Sequence, residues 1–276
     1  MRFTTVIENH SFKEGLLEQY GLSFFIETKG GNILLDAGSD ESAYINFCTL
    51  GFSPEAINAI VVSHNHYDHF GGIPYFLDKC DAPLYLSANA EKDYYLKSFL
   101  HKRTLVSCTD TIRKYRDRIT FVEDKTEILP DVYVCRINKR DPAFFCRDKR
   151  LKQMVDGKLT FDDFSHEVYL AVVEDGECII FSSCSHNGIV NIVEDAQARF
   201  EVPVTTFVGG LHMRGQHSNS LNCSRKYVDT VSDTLQTLEV KRVFTCHCTG
   251  EKAFRLLKKN DKIDFRYFST GESFEF

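Results

Sequence analysis

Ser63-His64-Asn65-His66-Tyr67-Asp68-His69-Phe70-Gly71-Gly72 places three histidines and one aspartate in six consecutive positions. The four residues before it, Ala59-Ile60-Val61-Val62, are apolar and three of them β-branched, which reads as a buried strand. The residues after it, Ile73-Pro74-Tyr75-Phe76-Leu77, read as a helix with its proline tolerated in the first turn. The polar cluster therefore lies on a loop leaving a strand end, where open α/β sheets tend to carry their chemistry. His64 and His66, two apart on extended backbone, point the same way and can grip one metal ion. Asp68 and His69 lie past the bend and could hold a second ion, roughly 3.5–4 Å from the first by analogy with two-metal sites. Imidazole with carboxylate suits zinc, and also iron or manganese. A polar surface loop is the bland alternative, but the whole chain has only 10 histidines, so three in six positions favours the metal.

His-x-His-x-Asp-His after a buried strand and before Gly-Gly resembles the signature of the metallo-β-lactamase superfamily. That resemblance implies an α/β (α+β) fold, a four-layer αββα sandwich, with a mono- or dinuclear metal site. It implies one or two zinc ions, with iron or manganese as alternatives, and a metal-bound hydroxide as the usual nucleophile. Asp68 is then the candidate catalytic residue, orienting the water as well as ligating. Asp36, in Leu35-Asp36-Ala37-Gly38, stands where the superfamily places an aspartate that supports the histidine loop. A carboxylate that holds a ligand's ring N–H or the loop backbone fixes its orientation. By composition alone the same tetrapeptide is an ordinary Asp-x-Gly turn.

The remaining ligands must come from later loops. Val168–Val173 and Cys178–Phe181 form a hairpin about Asp175-Gly176 and run into Ser182-Ser183-Cys184-Ser185-His186-Asn187-Gly188. Laid on the superfamily pattern, His166 falls at the third-histidine position and Cys184 at the position usually held by a bridging aspartate. A thiolate is a competent zinc ligand there, and His186, two residues on, can serve instead or as well. His247 follows Val243-Phe244-Thr245 and fits the last ligand. Cys246-x-Cys248 around it lacks the second cysteine pair of a zinc knuckle. His212, after Thr205–Val208 and Gly209-Gly210-Leu211, is assigned to substrate. So are Thr249 and Gly250, whose backbone N–H groups open the helix 251–259 toward an anion.

The chain is long enough, at 276 residues, for one large domain spanning 1–276. The net charge of −6 without a large basic block does not suggest a nucleic-acid partner. No run of 18 apolar residues suggests a membrane span. Ten scattered cysteines and no evident export signal fit reduced thiols, hence a cytoplasmic expectation. Strands are expected at 1–8, 24–27, 32–36 and 83–87 and helices at 42–50, 88–100 and 189–200. Ser53 should cap a turn at Pro54-Glu55, short strands should fill 110–137, and a final strand should occupy 264–269. Residues 138–165 mix cations and phenylalanines without periodicity and read as a long active-site loop. Its Arg147 and Arg150 are candidate contacts for a small anionic substrate with a flat ring.

Gly21-Leu22-Ser23-Phe24, Cys184–Ile189 with Asn191-Ile192, Gly209–His212 and His247–Gly250 narrow the resemblance. Together they look like the branch that includes the archaeal dihydropterin-methyl-ribofuranosylaminobenzene-phosphate synthase. The expected function is a metal-dependent hydrolase acting on a small phosphate- or carboxylate-bearing ester. The alternatives are dihydropterin-methyl transfer with release of pyrophosphate, and a non-catalytic metal or ligand sensor on the same fold.

Overall fold

The structure is a computed structural model that describes residues 1–97, 103–145, 148–217 and 219–276. Its first strands are β1 (Arg2–Ile7), β2 (Ser23–Thr28), β3 (Gly31–Leu35), β4 (Ala59–Val61), β5 (Leu84–Ser87), β6 (Tyr94–Lys97), β7 (Arg103–Leu105) and β8 (Ile119–Val122). There follow β9 (Lys125–Leu129), β10 (Val132–Arg136), β11 (Leu151–Val155), β12 (Lys158–Phe161), β13 (Val168–Glu174) and β14 (Glu177–Phe181). The last are β15 (Val204–Val208), β16 (Arg242–Thr245), β17 (Asp264–Tyr267) and β18 (Ser273–Glu275). The helices are α1 (Ser42–Thr49), α2 (Tyr67–Phe70), α3 (Ile73–Leu77), α4 (Thr109–Lys114), α5 (Ile189–Phe200), α6 (Arg225–Thr237) and α7 (Gly250–Leu257). They group into two compact units. Unit 1 comprises Met1–Glu123, Asp148–Val168 and Thr270–Phe276; unit 2 comprises Asp124–Arg147 and Tyr169–Ser269.

Unit 1 is built on a sheet in the order β18-β1-β2-β3-β4-β5-β8. β2 and β3 form the antiparallel hairpin that Gly30-Gly31 announces. From β3 through β4 and β5 to β8 the pairing is parallel. All three residues of β4 are buried, as a central parallel strand requires. Val6, Phe25, Leu34, Ile60, Phe70, Ile73 and Phe76 pack into one core, so the residues that flank the histidine motif anchor it in the hydrophobic interior. A smaller antiparallel sheet, β12-β11-β6-β7, completes the unit.

Unit 2 carries the order β17-β16-β15-β14-β13-β10-β9, with β14, β15, β16 and β17 all parallel. α5 and α6 bury Ile189, Val190, Ile192, Val193, Val228, Val231 and Leu235 in its core. α6 starts at Ser224, whose hydroxyl accepts a hydrogen bond from the Tyr227 N–H.

Several sequence expectations give way. Residues 88–100 were to be a helix, and the described part is a turn over 88–92 followed by β6, paired with β7 and β11; 98–100 lie outside the described residues. Tyr94, Tyr95 and Leu96 suit a pleated, half-buried surface, and cross-strand pairing overrides their helical spacing. The expected loop 138–165 contains a 3₁₀ turn at Pro142–Phe144 and the hairpin β11–β12. Asp156 and Gly157, both at positive φ, make its turn. That dipeptide is a strong hairpin signal, masked by the surrounding charges. α4 occupies part of the expected strand region 110–137. The strand β18 follows the one expected to be last and pairs with β1. Ser53 precedes a 3₁₀ turn, but its hydroxyl bonds the Glu55 carboxylate instead of capping the backbone.

Gly71 and Gly72 have helical backbone, so their need for glycine is one of space. A Cβ on Gly72 would lie 2.0 Å from the Ala37 carbonyl oxygen, and one on Gly71 2.0 Å from that of Ser39. Gly157 has open space but φ +74. Gly157→Ala should therefore cost about 1 kcal/mol, the ordinary penalty of a left-handed residue. Gly72→Ala should cost at least ~2 kcal/mol more, because backbone must move. Chemical denaturation of both variants checks the ordering.

Candidate functional site

β3 and β4 are parallel neighbours, so the residues after their C-terminal ends meet. Asp36 leaves β3 at φ 59, a left-handed conformation that aspartate tolerates. Its N–H donates to the Val61 carbonyl. The fully buried carboxylate accepts three hydrogen bonds, from the Ser63 N–H at 2.7 Å, the Ser63 hydroxyl at 2.7 Å and His69 Nδ1 at 2.8 Å. The Ser63 hydroxyl, having given its proton to Asp36, accepts from His64 Nδ1 at 2.8 Å. One carboxylate thus sets the Nδ1–H tautomer of two histidines and leaves the lone pair of each ring on Nε2. His69 Nε2 then faces Asp68 Oδ2 at 3.6 Å. Two electron-rich atoms at that distance call for a cation or a proton between them. The donor set fits a divalent metal, as the sequence pattern implies.

The rest of the loop is pinned by backbone. Asn65 donates to the Ala90 carbonyl and accepts from the Cys108 N–H. Ala37 N–H donates to the His69 carbonyl at 2.8 Å, and Leu22 N–H to that of Asp68 at 3.1 Å. The rings of His64 and His66 lie 4.5 Å apart, and those of His64 and His69 4.3 Å apart, so His69 sits as close to His64 as His66 does.

His166 behaves differently from a simple third ligand. Its Nδ1 accepts the Asn65 N–H at 3.0 Å, and its Nε2 lies 3.3 Å from Asp162 Oδ2. Its ring stacks on Tyr94 at 3.8 Å. Both ring nitrogens are thereby engaged within unit 1. Asp162 Oδ2 also lies 3.9 Å from His66 Nε2, and the ligand atoms of His66, Asp162 and His166 fall within 4.8 Å of one another. Burial alone would raise the Asp162 carboxyl, but the two histidines hold it below the usual carboxylate range. Burial, helped by His166, pushes His66 down against the pull of Asp162, favouring the neutral form that ligates metal.

Unit 2 delivers its donors from three adjacent parallel strand ends. β14 leads to Cys184 and His186, β15 to His212, and β16 to His247 and Cys248. The ligand atoms of Cys184, His186 and His212 lie within 4.8 Å of one another, and so do those of Cys184, His247 and Cys248. The rings of His186 and His212 are 4.3 Å apart. His212, assigned to substrate on the sequence, is thus grouped with candidate metal donors. Burial would raise the Cys248 thiol, but hydrogen bonding with Cys184 and His212 and the proximity of His247 hold it well below the ordinary range.

The Thr249 hydroxyl accepts the Leu211 N–H at 2.9 Å, and its own N–H donates to the Cys246 carbonyl. Both groups serve the loop itself. Gly250 follows at φ +72 with the Arg214 side chain 3.0 Å from where its Cβ would be. The guanidinium of Arg150 grips Asp148 through two hydrogen bonds, one of 2.8 Å from Nε; Arg147 lies outside the described residues. Sequence reasoning passed over Asp162 and Cys248. Asp162 is signalled only by an acid four residues before a histidine, and Cys248 only by standing next to His247.

The sequence matches the family model of the metallo-beta-lactamase superfamily over residues 17–112. The 7,8-dihydropterin-6-methyl-4-(β-D-ribofuranosyl)-aminobenzene-5'-phosphate synthase of Methanocaldococcus jannaschii is 25% identical, over 100% of this chain and 97% of that protein. Among solved structures, a metal-dependent hydrolase of the beta-lactamase superfamily matches with TM-score 0.84 at 22% identity, covering 100% of this chain and 99% of the other. Zn(2+)-bound PqqB from Methylobacterium extorquens matches with TM-score 0.56 at 11% identity, covering 100% of each chain. The fold is that of the metallo-β-lactamases, as the histidine motif implied.

Asp36→Asn keeps the shape but cannot accept all three hydrogen bonds. It should weaken zinc binding about 10–100-fold, the usual loss when a ligand's orienting partner goes. Chelator-competition titration measures this, with His217→Ala, on an exposed loop, as the control.

Proposed function

We propose that this chain, which carries a metallo-beta-lactamase superfamily domain, is a metal-dependent hydrolase of a small anionic ester. The observation that carries the reading is the Asp36–Ser63–His64/His69 network, which sets two imidazoles for Nε2 ligation beside Asp68. His64, His66, Asp68 and His69 are the donors offered by unit 1, and Cys184, His186 and His247 those offered by unit 2. Zinc, one or two ions, suits the donors of each unit best, with iron or manganese as alternatives. A bound divalent ion supplies activation of a water and neutralisation of charge developing on the scissile bond. Asp68, buried in α2, would hold and orient that water. The substrate is a small phosphate or carboxylate ester.

A second reading has its own support. The synthase of M. jannaschii aligns with this chain from end to end, which favours transfer of a dihydropterin-methyl group with the same donors assisting departure of pyrophosphate. Fold likeness alone does not choose among chemistries.

Purified without a histidine tag, the protein should contain one or two equivalents of transition metal and turn over at least one of a phosphodiester, a phosphomonoester or a lactone. Chelator should abolish that turnover. His64→Ala with His66→Ala should lose at least one metal equivalent; unchanged metal content would sink the assignment. Metal without hydrolysis of any of the three, but with pyrophosphate released from a pterin-methyl diphosphate, would select the second reading.

A further inference from the structure

We infer that Cys248 is a second thiolate ligand, forming with Cys184 and His247 a sulfur-rich site in unit 2 for a soft divalent ion such as zinc. The inference rests on the metal-dependent reading above and goes beyond it, because neither the sequence pattern nor that reading gives Cys248 a role. Its basis is geometric. The ligand atoms of Cys184, His247 and Cys248 lie within 4.8 Å of one another, and all three residues are buried. Two sulfurs and one imidazole, with no carboxylate among them, make a donor set for zinc, cobalt or another thiophilic ion. It does not suit magnesium or calcium, and suits manganese poorly.

The surrounding backbone is shaped to bring these side chains together. His247 is held at φ 50, His212 at φ 45 and Ser185 at φ 55, three buried or half-buried non-glycine residues in the left-handed region. Most of the other such residues lie in exposed turns, and strain of this kind is kept where structure around it enforces a particular geometry. Gly210 has no room for a side chain, since a Cβ there would lie 2.5 Å from the Cys248 sulfur. The His212 N–H donates to that sulfur at 3.3 Å. A backbone donor aimed at a cysteine sulfur is the support commonly given to a metal thiolate. The Thr249 hydroxyl, held by Leu211, and the Arg214 N–H, which donates to the Cys248 carbonyl at 2.9 Å, fix the turn from both sides. A buried cysteine that merely filled space would need none of these.

Cobalt(II) substitution tests the inference, because thiolate-to-cobalt charge transfer in the near ultraviolet reports the number of sulfur ligands directly. The parent should show a band of two-thiolate intensity. Cys248→Ser and Cys184→Ser should each lower it by about half, and the double variant should abolish it. Cys135→Ser, a buried cysteine of the unit 2 core, should leave it unchanged, and circular dichroism confirms that each variant folds. If the folded Cys248→Ser protein binds cobalt with the parent's band, Cys248 is a packing residue and the inference fails alone. If the parent binds no cobalt at all, the metal-dependent reading fails with it.

Discussion

A buried carboxylate that accepts three hydrogen bonds is the constraint on which unit 1 depends. Leaving the Asp36 side chain unsatisfied would cost several kcal/mol, because a buried polar group without partners has no water to bond it. Ser63 and His69 meet that demand, and in doing so they are themselves fixed. The tautomers of His64 and His69 follow from the serine proton and the carboxylate. The loop path follows from the close approach of Gly71 and Gly72 to the end of β3. The network is therefore both the fastening of the loop to the sheet and the preparation of its ligand atoms.

Unit 2 reaches a similar end by different means. Its donors come from three neighbouring parallel strands, so the sheet spacing, not a single dense motif, brings Cys184, His186, His212, His247 and Cys248 together. The closeness is enforced by glycines and hydroxyls. Gly209, whose Cβ would lie 1.9 Å from the Ser182 carbonyl, lets the first two loops touch. Ser185 then donates to the Gly210 carbonyl at 2.7 Å, and Thr245 to that of Gly209 at 2.9 Å. Left-handed backbone at Ser185, His212 and His247 completes the arrangement.

These differences explain what the sequence alone could reveal. His64 to His69 were legible because six adjacent residues carry their own geometry. α5 was legible because its apolar period and the preceding glycine mark it locally. Asp36 was not legible as more than a turn without the family resemblance, since its partners lie 27 and 33 residues away. The double engagement of His166 depends on Asn65, 101 residues earlier, and no local pattern encodes that. Cys248 meets the carbonyl of Cys184, 64 residues away, for the same reason. The hairpin β11–β12 was legible in Asp156-Gly157 but was hidden by a surrounding run of cations and phenylalanines that suggested an irregular loop.

Nitrogen-15 NMR of the imidazole rings in metal-stripped protein tests the central claim most directly. The account predicts that His64 and His69 are protonated at Nδ1 before any metal is added, and that zinc shifts their Nε2 resonances without changing the tautomer. Protonation at Nε2 in the apo protein, or Nε2 resonances that zinc leaves in place, would contradict it.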